Sequence, residues 1–197
     1  MKIKKLCVND SLKIAEIHLK SFEGFFLTSL GKSFLNKFYL SIIKNKQSIV
    51  IGFIEDNEII GFAVGAKVKK GFYKSLLREH SISLLLSASN RLLKSPHKII
   101  KLLQSFFAKE TSNKEYLNYA SLLSICVSPE KKGQKIGKLL LEAFELEASK
   151  YNDGISLTTD KYNNDHVNNF YLSNNYIVDN EFSQGSRVMN FYIKKLN

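Results

Sequence analysis

Cysteine occurs only twice in the 197 residues, at Cys7 and Cys126, both in apolar, strand-like surroundings and in no pattern with histidine. That scarcity argues against a disulfide framework and against a zinc-binding cysteine–histidine set. Long apolar runs are missing too. No stretch approaches the roughly 18 uncharged apolar residues that a spanning helix needs. The opening MKIKKLCVND lacks the apolar core of a secretion signal, so the expected setting is a reducing cytoplasm. Proline is used only at Pro96 and Pro129, and both read as punctuation: Pro96 as a first helical turn, Pro129 as the stop of a strand. Repeats and low-complexity linkers are absent. With 44% hydrophobic residues, the chain reads as one domain over residues 1–197 with one packed core. Acidic residues are in deficit, 18 Asp and Glu against 29 Lys and Arg, for a net charge of +11. This balance suits an anionic partner, whether nucleic acid, membrane surface or phosphorylated small molecule. Ordinary solubilising lysines, spread along the chain, account for the same number.

What is present is a regular alternation of patterns. Residues 2–8 read as a strand. Leu12, Ala15, Leu19 and Phe22 recur at helical spacing, and Phe34, Leu35, Phe38, Tyr39 and Ile42 repeat the pattern. Residues 48–55 and 59–66 are strand-like around the turn pair Asp56-Asn57, a hairpin signature. Residues 70–118 differ in texture, rich in Leu, Lys and Ser. Two helical stretches are expected there, one carrying Phe72, Leu76, Leu77, Leu84 and Leu85, the other Ile99, Ile100, Leu103, Phe106 and Phe107. Residues 119–127 return to strand character. Ile136, Leu139, Leu140, Ala143 and Leu146 then mark a helix, residues 155–159 a buried strand, and Val167, Phe170 and Tyr171 a short helix capped by Asn163, Asn164 and Asp165. A final antiparallel pair surrounds Gln184-Gly185. The order predicts an α/β (α+β) fold: a mixed, mostly antiparallel sheet flanked by helices, with one crossover and a helical insertion between the third and fourth strands.

The segment VSPEKKGQKIGKLLL, residues 127–141, joins a strand to a helix through a basic turn. Helix starts leave amide hydrogens unpaired, and these attract anions. Gly133 and Gly137 let a phosphate approach the backbone, and Lys131, Lys132, Lys135 and Lys138 add charge. The same residues also describe an ordinary basic helix start with a solvated lysine cluster. A Walker phosphate loop is excluded, since its closing Gly-Lys-Ser/Thr is absent.

With these motifs the chain resembles the GNAT-type N-acetyltransferases. Val127-Ser128-Pro129 matches the family's Val-x-Pro strand end, and Lys132-Gly133-Gln134-Lys135-Ile136-Gly137 lies on its Arg/Gln-x-x-Gly-x-Gly/Ala loop. Asn164, Val167, Phe170, Tyr171, Asn175 and Tyr176 match the later Asn-x-x-Ala-x-x-Phe-Tyr-x-x-x-Gly-Phe, and EDNEIIGFAVG matches the second and third strands. Lys132 stands where Arg or Gln is usual, and Lys135 where the first glycine of the pair is usual. The stretch AEIHLKSFEGFFLTSLGKSFLNKFY is similar to a bacterial branch associated with surface-polysaccharide synthesis.

The resemblance implies an acyl-CoA-dependent N-acyltransferase, with acetyl-CoA as cofactor and an amine-bearing small molecule, such as an amino sugar, as acceptor. It implies that the pyrophosphate lies on the amides of Gly133, Gln134, Lys135, Ile136, Gly137 and Lys138, with Lys132 beside it. The pantetheine arm would lie along Ile125, Cys126 and Val127, and Asn164 would touch the cofactor as well as cap its helix. Tyr171 would contact the cofactor and act as general acid: a phenol with a pKa of about 10 stays protonated where a thiol of about 8.5 does not. The general base is open among His18, His80, Asp160, Glu115 and Glu181. Cys126 reads as a small buried hydrophobe. The insert, about residues 70–118, together with SFEGFFLTSLG, is expected over the acceptor side. Its Arg91, Lys94, Lys98 and Lys101 alternate with apolar residues, which leaves peripheral membrane contact open. Two further readings stay open: transfer of a longer acyl group, and a basic RNA- or membrane-surface-binding protein with a vestigial acyl-CoA cleft. No nucleic-acid motif appears, so nucleic acid is not the expected partner. The oligomeric state is open, a dimer included.

Overall fold

Asp56 and Asn57 both take positive φ, 49° and 63°, the backbone a two-residue hairpin turn requires. They join β2 (Ser48–Glu55) to β3 (Glu58–Ala66) at the heart of a seven-stranded sheet of order β1-β2-β3-β4-β5-β7-β6. The structure, a computed structural model, describes residues 2–68, 70–73, 75, 76, 78, 84, 87 and 116–196. The other strands are β1 (Lys2–Lys5), β4 (Tyr119–Val127), β5 (Gly154–Asp160), β6 (Ile177–Gln184) and β7 (Arg187–Lys195). Every pairing is antiparallel except β4 with β5, which α4 (Ile136–Ala148) links as a crossover.

Alternate residues of β2 and β3 point to opposite faces, so each strand feeds two cores. Val50, Ile54, Phe62 and Val64 pack with α1 (Ser11–Ser21) and α3 (Lys32–Lys44), which the short α2 (Phe26–Ser29) separates. Ile49, Ile51, Phe53 and Ala63 pack with α4 on the other face, which α5 (Asp165–Ser173) extends. Both faces being covered, β2 and β3 read as nearly continuous apolar runs.

Several expectations are corrected. The first strand ends at Lys5 rather than Val8. The chain turns instead through a 3-10 segment, Val8–Asp10, where the Cys7 amide donates to the Asp10 carboxylate at 2.8 Å. The buried stripe of α1 is Ser11, Ile14, Ala15, Ile17 and His18, and Leu12 is exposed. That of α4 is Ile136, Leu140, Leu141, Phe144 and Ala148, whereas the expected Leu139 and Leu146 face solvent. Apolar residues cover more than half of the α4 circumference, so periodicity alone does not choose which side meets the sheet. Between β3 and β4, every described residue from Phe72 to Ser87 is helical, and Phe72, Leu76 and Leu84 are buried in the α1–α3 core. The expected second helix and the basic residues Arg91, Lys94, Lys98 and Lys101 lie outside the described residues. No helix among the described residues is long and apolar enough to cross a membrane.

Candidate active site

The sheet divides between β4 and β5. Their parallel pairing covers only Tyr119, Ala120 and Ser121 against Gly154, Ile155 and Ser156. Beyond it the strands follow different partners. β4 stays on β3 but carries a bulge at Leu123, where the register shifts between Val64 and Gly65, and bulges bend a strand. β5 stays on β7 along its whole length. Its end is also held by side-chain amides: Asn164 and Asn168 each donate to the Asp160 carbonyl at 3.1 Å, and Asn168 also donates to the Lys161 carbonyl.

The gap exposes specific backbone groups. Ser128 donates its amide to the Ile60 carbonyl at 2.7 Å, which marks Ser128–Ile60 as a hydrogen-bonded pair of the β3–β4 ladder. Antiparallel pairs alternate, so Cys126–Phe62 and Ser124–Val64 also exchange bonds. Ile125 and Val127, opposite Ala63 and Gly61, therefore turn their N–H and C=O groups away from β3, toward the gap. The Val127 carbonyl takes a hydrogen bond from the Ser21 hydroxyl at 3.2 Å.

At the C-terminal end of β4, after the 3-10 turn Pro129–Lys131, the chain enters α4 through two left-handed residues, Gly133 (φ 82°) and Lys135 (φ 60°). The amides of Gly133, Gln134, Lys135, Ile136 and Gly137 donate to no protein group among the described residues. Those of Lys138 and Leu139 both donate to the Lys135 carbonyl, at 3.1 and 3.2 Å, so the row of open donors ends at Gly137. Lys132 and Lys135 are exposed and have no carboxylate partner among the described residues, whereas Lys131 pairs with Glu55, and Lys138 lies 3.8 Å from Glu142. Open donors, a helix start and two ammonium groups without a carboxylate partner among the described residues make this a candidate anion seat. At Gly137 an added Cβ would meet only the Phe170 ring, at 3.7 Å, so the protein's own packing does not demand glycine there.

A cleft of about 540 Å³ runs through the gap from the α4–α5 layer to the α1–α3 layer. On the first side it is lined by Gly137, Val167, Phe170 and Tyr171. Tyr171 is buried among Phe170, Tyr176 and Tyr192, with ring centroids 5.2 to 5.6 Å away. Burial, with Tyr192 adding to it, raises its pKa and keeps the phenol protonated. Cys126 lines the cleft as well, but burial pushes its thiol up to about 12, which deprives it of thiolate character. Asn164 occupies the N-cap position of α5, yet its side chain makes no cap: its amide donates to Thr159 Oγ1 at 2.7 Å and to the Asp160 carbonyl.

Of the candidate bases, His18 and Asp160 line the cleft. His18 is buried, with Nδ1 2.7 Å from the Tyr39 hydroxyl and Nε2 without a hydrogen-bond partner among the described residues, and burial lowers its pKa to about 4, so it is neutral near pH 7. Asp160 is held by Arg187 in a two-pronged ion pair, 2.6 and 2.5 Å. Glu181 pairs with Lys161 at 2.7 Å and does not line the cleft. His80 and Glu115 lie outside the described residues. The sequence reading overlooked Arg187 and Ser124, both of which line the cleft. No motif signals either one, since Arg187 meets Asp160 only through the β5–β7 pairing.

The family model of the acetyltransferase (GNAT) family matches residues 12–176. No protein of curated function matches the chain in sequence. Among solved structures, a ribosomal-protein alanine N-acetyltransferase from Escherichia coli superposes with a TM-score of 0.62 at 13% identity, covering 99% of this chain and 93% of its own. A putative GNAT-family acetyltransferase from Desulfovibrio desulfuricans gives 0.65 at 11%, covering 100% and 99%. The PaiA N-acetyltransferase of Thermoplasma acidophilum, solved with coenzyme A, gives 0.60 at 20%, covering 98% of each chain. These likenesses show the fold, and the family match extends over most of the chain. The protein therefore belongs to the GNAT acetyltransferase family, acyl-CoA-dependent N-acyltransferases that take the acetyl group from acetyl-CoA.

Proposed function

We propose that the protein moves an acetyl group from acetyl-CoA directly to the primary amine of a small molecule, an amino sugar being the class its resemblance favours, with both substrates bound at once. The observation that carries this reading is the divided sheet: the amides of Ile125 and Val127 face a gap, and the open amides of residues 133–137 lie at one end of it.

Acetyl-CoA supplies an activated thioester. The amides of Gly133, Gln134, Lys135, Ile136 and Gly137, with the Lys132 and Lys135 ammonium groups, hold its diphosphate. Ile125 and Val127 offer an extended edge to the pantetheine arm, in the manner of an added strand. An amide on that edge stabilises the oxyanion that develops when the amine nitrogen attacks the thioester carbon. The carbon–sulfur bond then breaks. Tyr171, kept protonated by burial, gives its proton to the departing sulfur, and the amine proton leaves to solvent or to a nearby base. In this reading residues 1–197 act as one domain.

The test is thiol release from acetyl-CoA with amino sugars, polyamines, amino acids and peptides, alongside thermal unfolding with acetyl-CoA. The expected result is a melting temperature raised by acetyl-CoA, and release of one thiol per acetylated amine with at least one class. Absence of both overturns the proposal.

A further inference from the structure

Strand register sorts the lining of the cleft between the two faces of the sheet. Ile155, Leu157 and Tyr192 pack in the core beneath α4. The residues that alternate with them on β5 and β7 therefore point to the other face, on the α1–α3 side. There Thr158 stands opposite Phe191, and Asp160 opposite Met189. Arg187, two residues before Met189 on β7, shares that face and stands opposite Gln184 of β6. Thr158, Asp160, Gln184 and Arg187 all line the cleft, as do Phe22 and Phe25 from the first helical layer. Tyr171 packs on the α4 face. In the acetyltransferase reading the cofactor uses that side, and the polar group on β5–β7 is left to the acceptor.

The chemistry of this group is specific. Nε and Nη2 of Arg187 donate to the two Asp160 oxygens, at 2.6 and 2.5 Å, a fork that fixes both planes. Nη1 donates to no protein group among the described residues, and each carboxylate oxygen keeps accepting capacity. The pair thus shows donors and acceptors side by side, with its own charges balanced. Hydroxyl groups both donate and accept, so neighbouring hydroxyls match this edge. An anionic group would meet the carboxylate together with the guanidinium. Phe22 and Phe25 offer apolar ring faces to the same space. A sugar ring, with hydroxyls at its edge and C–H groups on its face, suits a cleft that combines apolar walls with a few placed polar groups. Arg187 is half-exposed, which leaves its outer edge within reach of a ligand.

We infer that Arg187, held in place by Asp160, recognises hydroxyl groups of the acceptor, so that the preferred acceptor is a polyhydroxylated amine. The inference rests on the acetyltransferase reading above and names the feature of an amino sugar that the protein reads.

The experiment measures thiol release from acetyl-CoA with glucosamine and with cyclohexylamine, a ring amine without hydroxyls. Wild-type protein, Arg187→Met and Asp160→Asn are compared. A half-exposed ion pair contributes little to stability, so both variants should fold, and the coenzyme A thermal shift verifies it. Taking the ratio of the two amines on each protein cancels their different basicities. In Arg187→Met the kcat/KM ratio of glucosamine over cyclohexylamine should fall at least tenfold, through KM rather than kcat. Asp160→Asn leaves the guanidinium without its counter-charge, while the bonds from Asn164 and Asn168 go to the backbone carbonyl and remain. The kcat/KM ratio of glucosamine 6-phosphate over glucosamine should then rise at least tenfold above that of the wild type, a gain that a damaged fold does not produce. An unchanged ratio in either variant overturns the inference, and so does wild-type protein that fails to turn over glucosamine. An intact coenzyme A shift in the wild type leaves the acetyltransferase reading standing in those cases; absence of that shift sinks the reading itself.

Discussion

Gly137 gives the sharpest test of how the α4 terminus is used. Its φ is not positive, and an added methyl would meet only Phe170, at the ordinary distance of 3.7 Å. Alanine is favoured over glycine inside a helix by about 1 kcal/mol. Gly137→Ala should therefore leave the free protein as stable as before, or raise its melting temperature by up to about 2–4 °C, the shift that 1 kcal/mol produces in a chain of this size. The methyl would, however, stand beside the open amides of residues 133–137, where the proposed reading has a diphosphate touch the backbone. Coenzyme A at a hundred times its Kd stabilises the folded state by about 2.7 kcal/mol. A tenfold loss of affinity removes about 1.4 kcal/mol, so about half of the ligand-induced shift should vanish. Thermal unfolding with and without coenzyme A, and calorimetric titration for Kd, read the two effects separately. A variant with unchanged free stability and a full coenzyme A shift would refute the argument, because the phosphates would then not approach the helix start.

Tyr171→Phe should lower kcat by roughly 10² or more, the usual worth of a positioned proton donor, while coenzyme A affinity stays within about twofold; unchanged turnover in single-turnover kinetics removes the residue from the acid role. Lys135→Gly relieves a left-handed backbone worth about 1–2 kcal/mol at a non-glycine residue, offset by about 0.5–1 kcal/mol of extra chain entropy in the unfolded state. The variant should thus gain about 0.5 kcal/mol in urea unfolding, and a loss contradicts the strain argument. His18 has a folded-state pKa of about 4 against 6.5 when exposed, so between these values the unfolded chain binds the extra proton. Its contribution is therefore fully present above about pH 6.5 and is lost as the pH falls toward 4, amounting to about 2 kcal/mol by pH 5. Denaturation midpoints at pH 7 and pH 5 measure it, and a His18→Gln protein with the same pH slope would show that the imidazole is not responsible.

The hairpin of β2 and β3 was legible because its turn is local: Asp56 and Asn57 tolerate the left-handed backbone that the connection needs. The end of α5 is local in the same way, since Asn175 takes φ of 67° where the helix ends. The loop from Lys132 to Gly137 and the Phe170-Tyr171 pair could be read as candidate site elements because each is contiguous. The buried stripes of α1 and α4 were legible only in part, at Ala15, Ile136 and Leu140. Leu139 and Leu146 match a helical period as well as Leu141 and Phe144 do, and only the sheet beneath decides which are covered. The Asn164 side chain looked like a cap, but it meets Thr159 and Asp160 because β5 ends beside it.

Short-range chemistry thus determined the order of elements, the basic turn ahead of α4 and the presence of an aromatic segment near the start of the chain, since backbone preferences and charge act over a few residues. The tertiary structure alone decided that β4 and β5 part after three residue pairs, that Ile125 and Val127 face the opening, and that Arg187 closes on Asp160. It also decided that His18 sits buried in the wall of the cleft and that Ser21 reaches Val127, 106 positions away. Such contacts depend on register, on a bulge at Leu123 and on which face of each helix meets the sheet, quantities settled by packing between segments that no local pattern brings together.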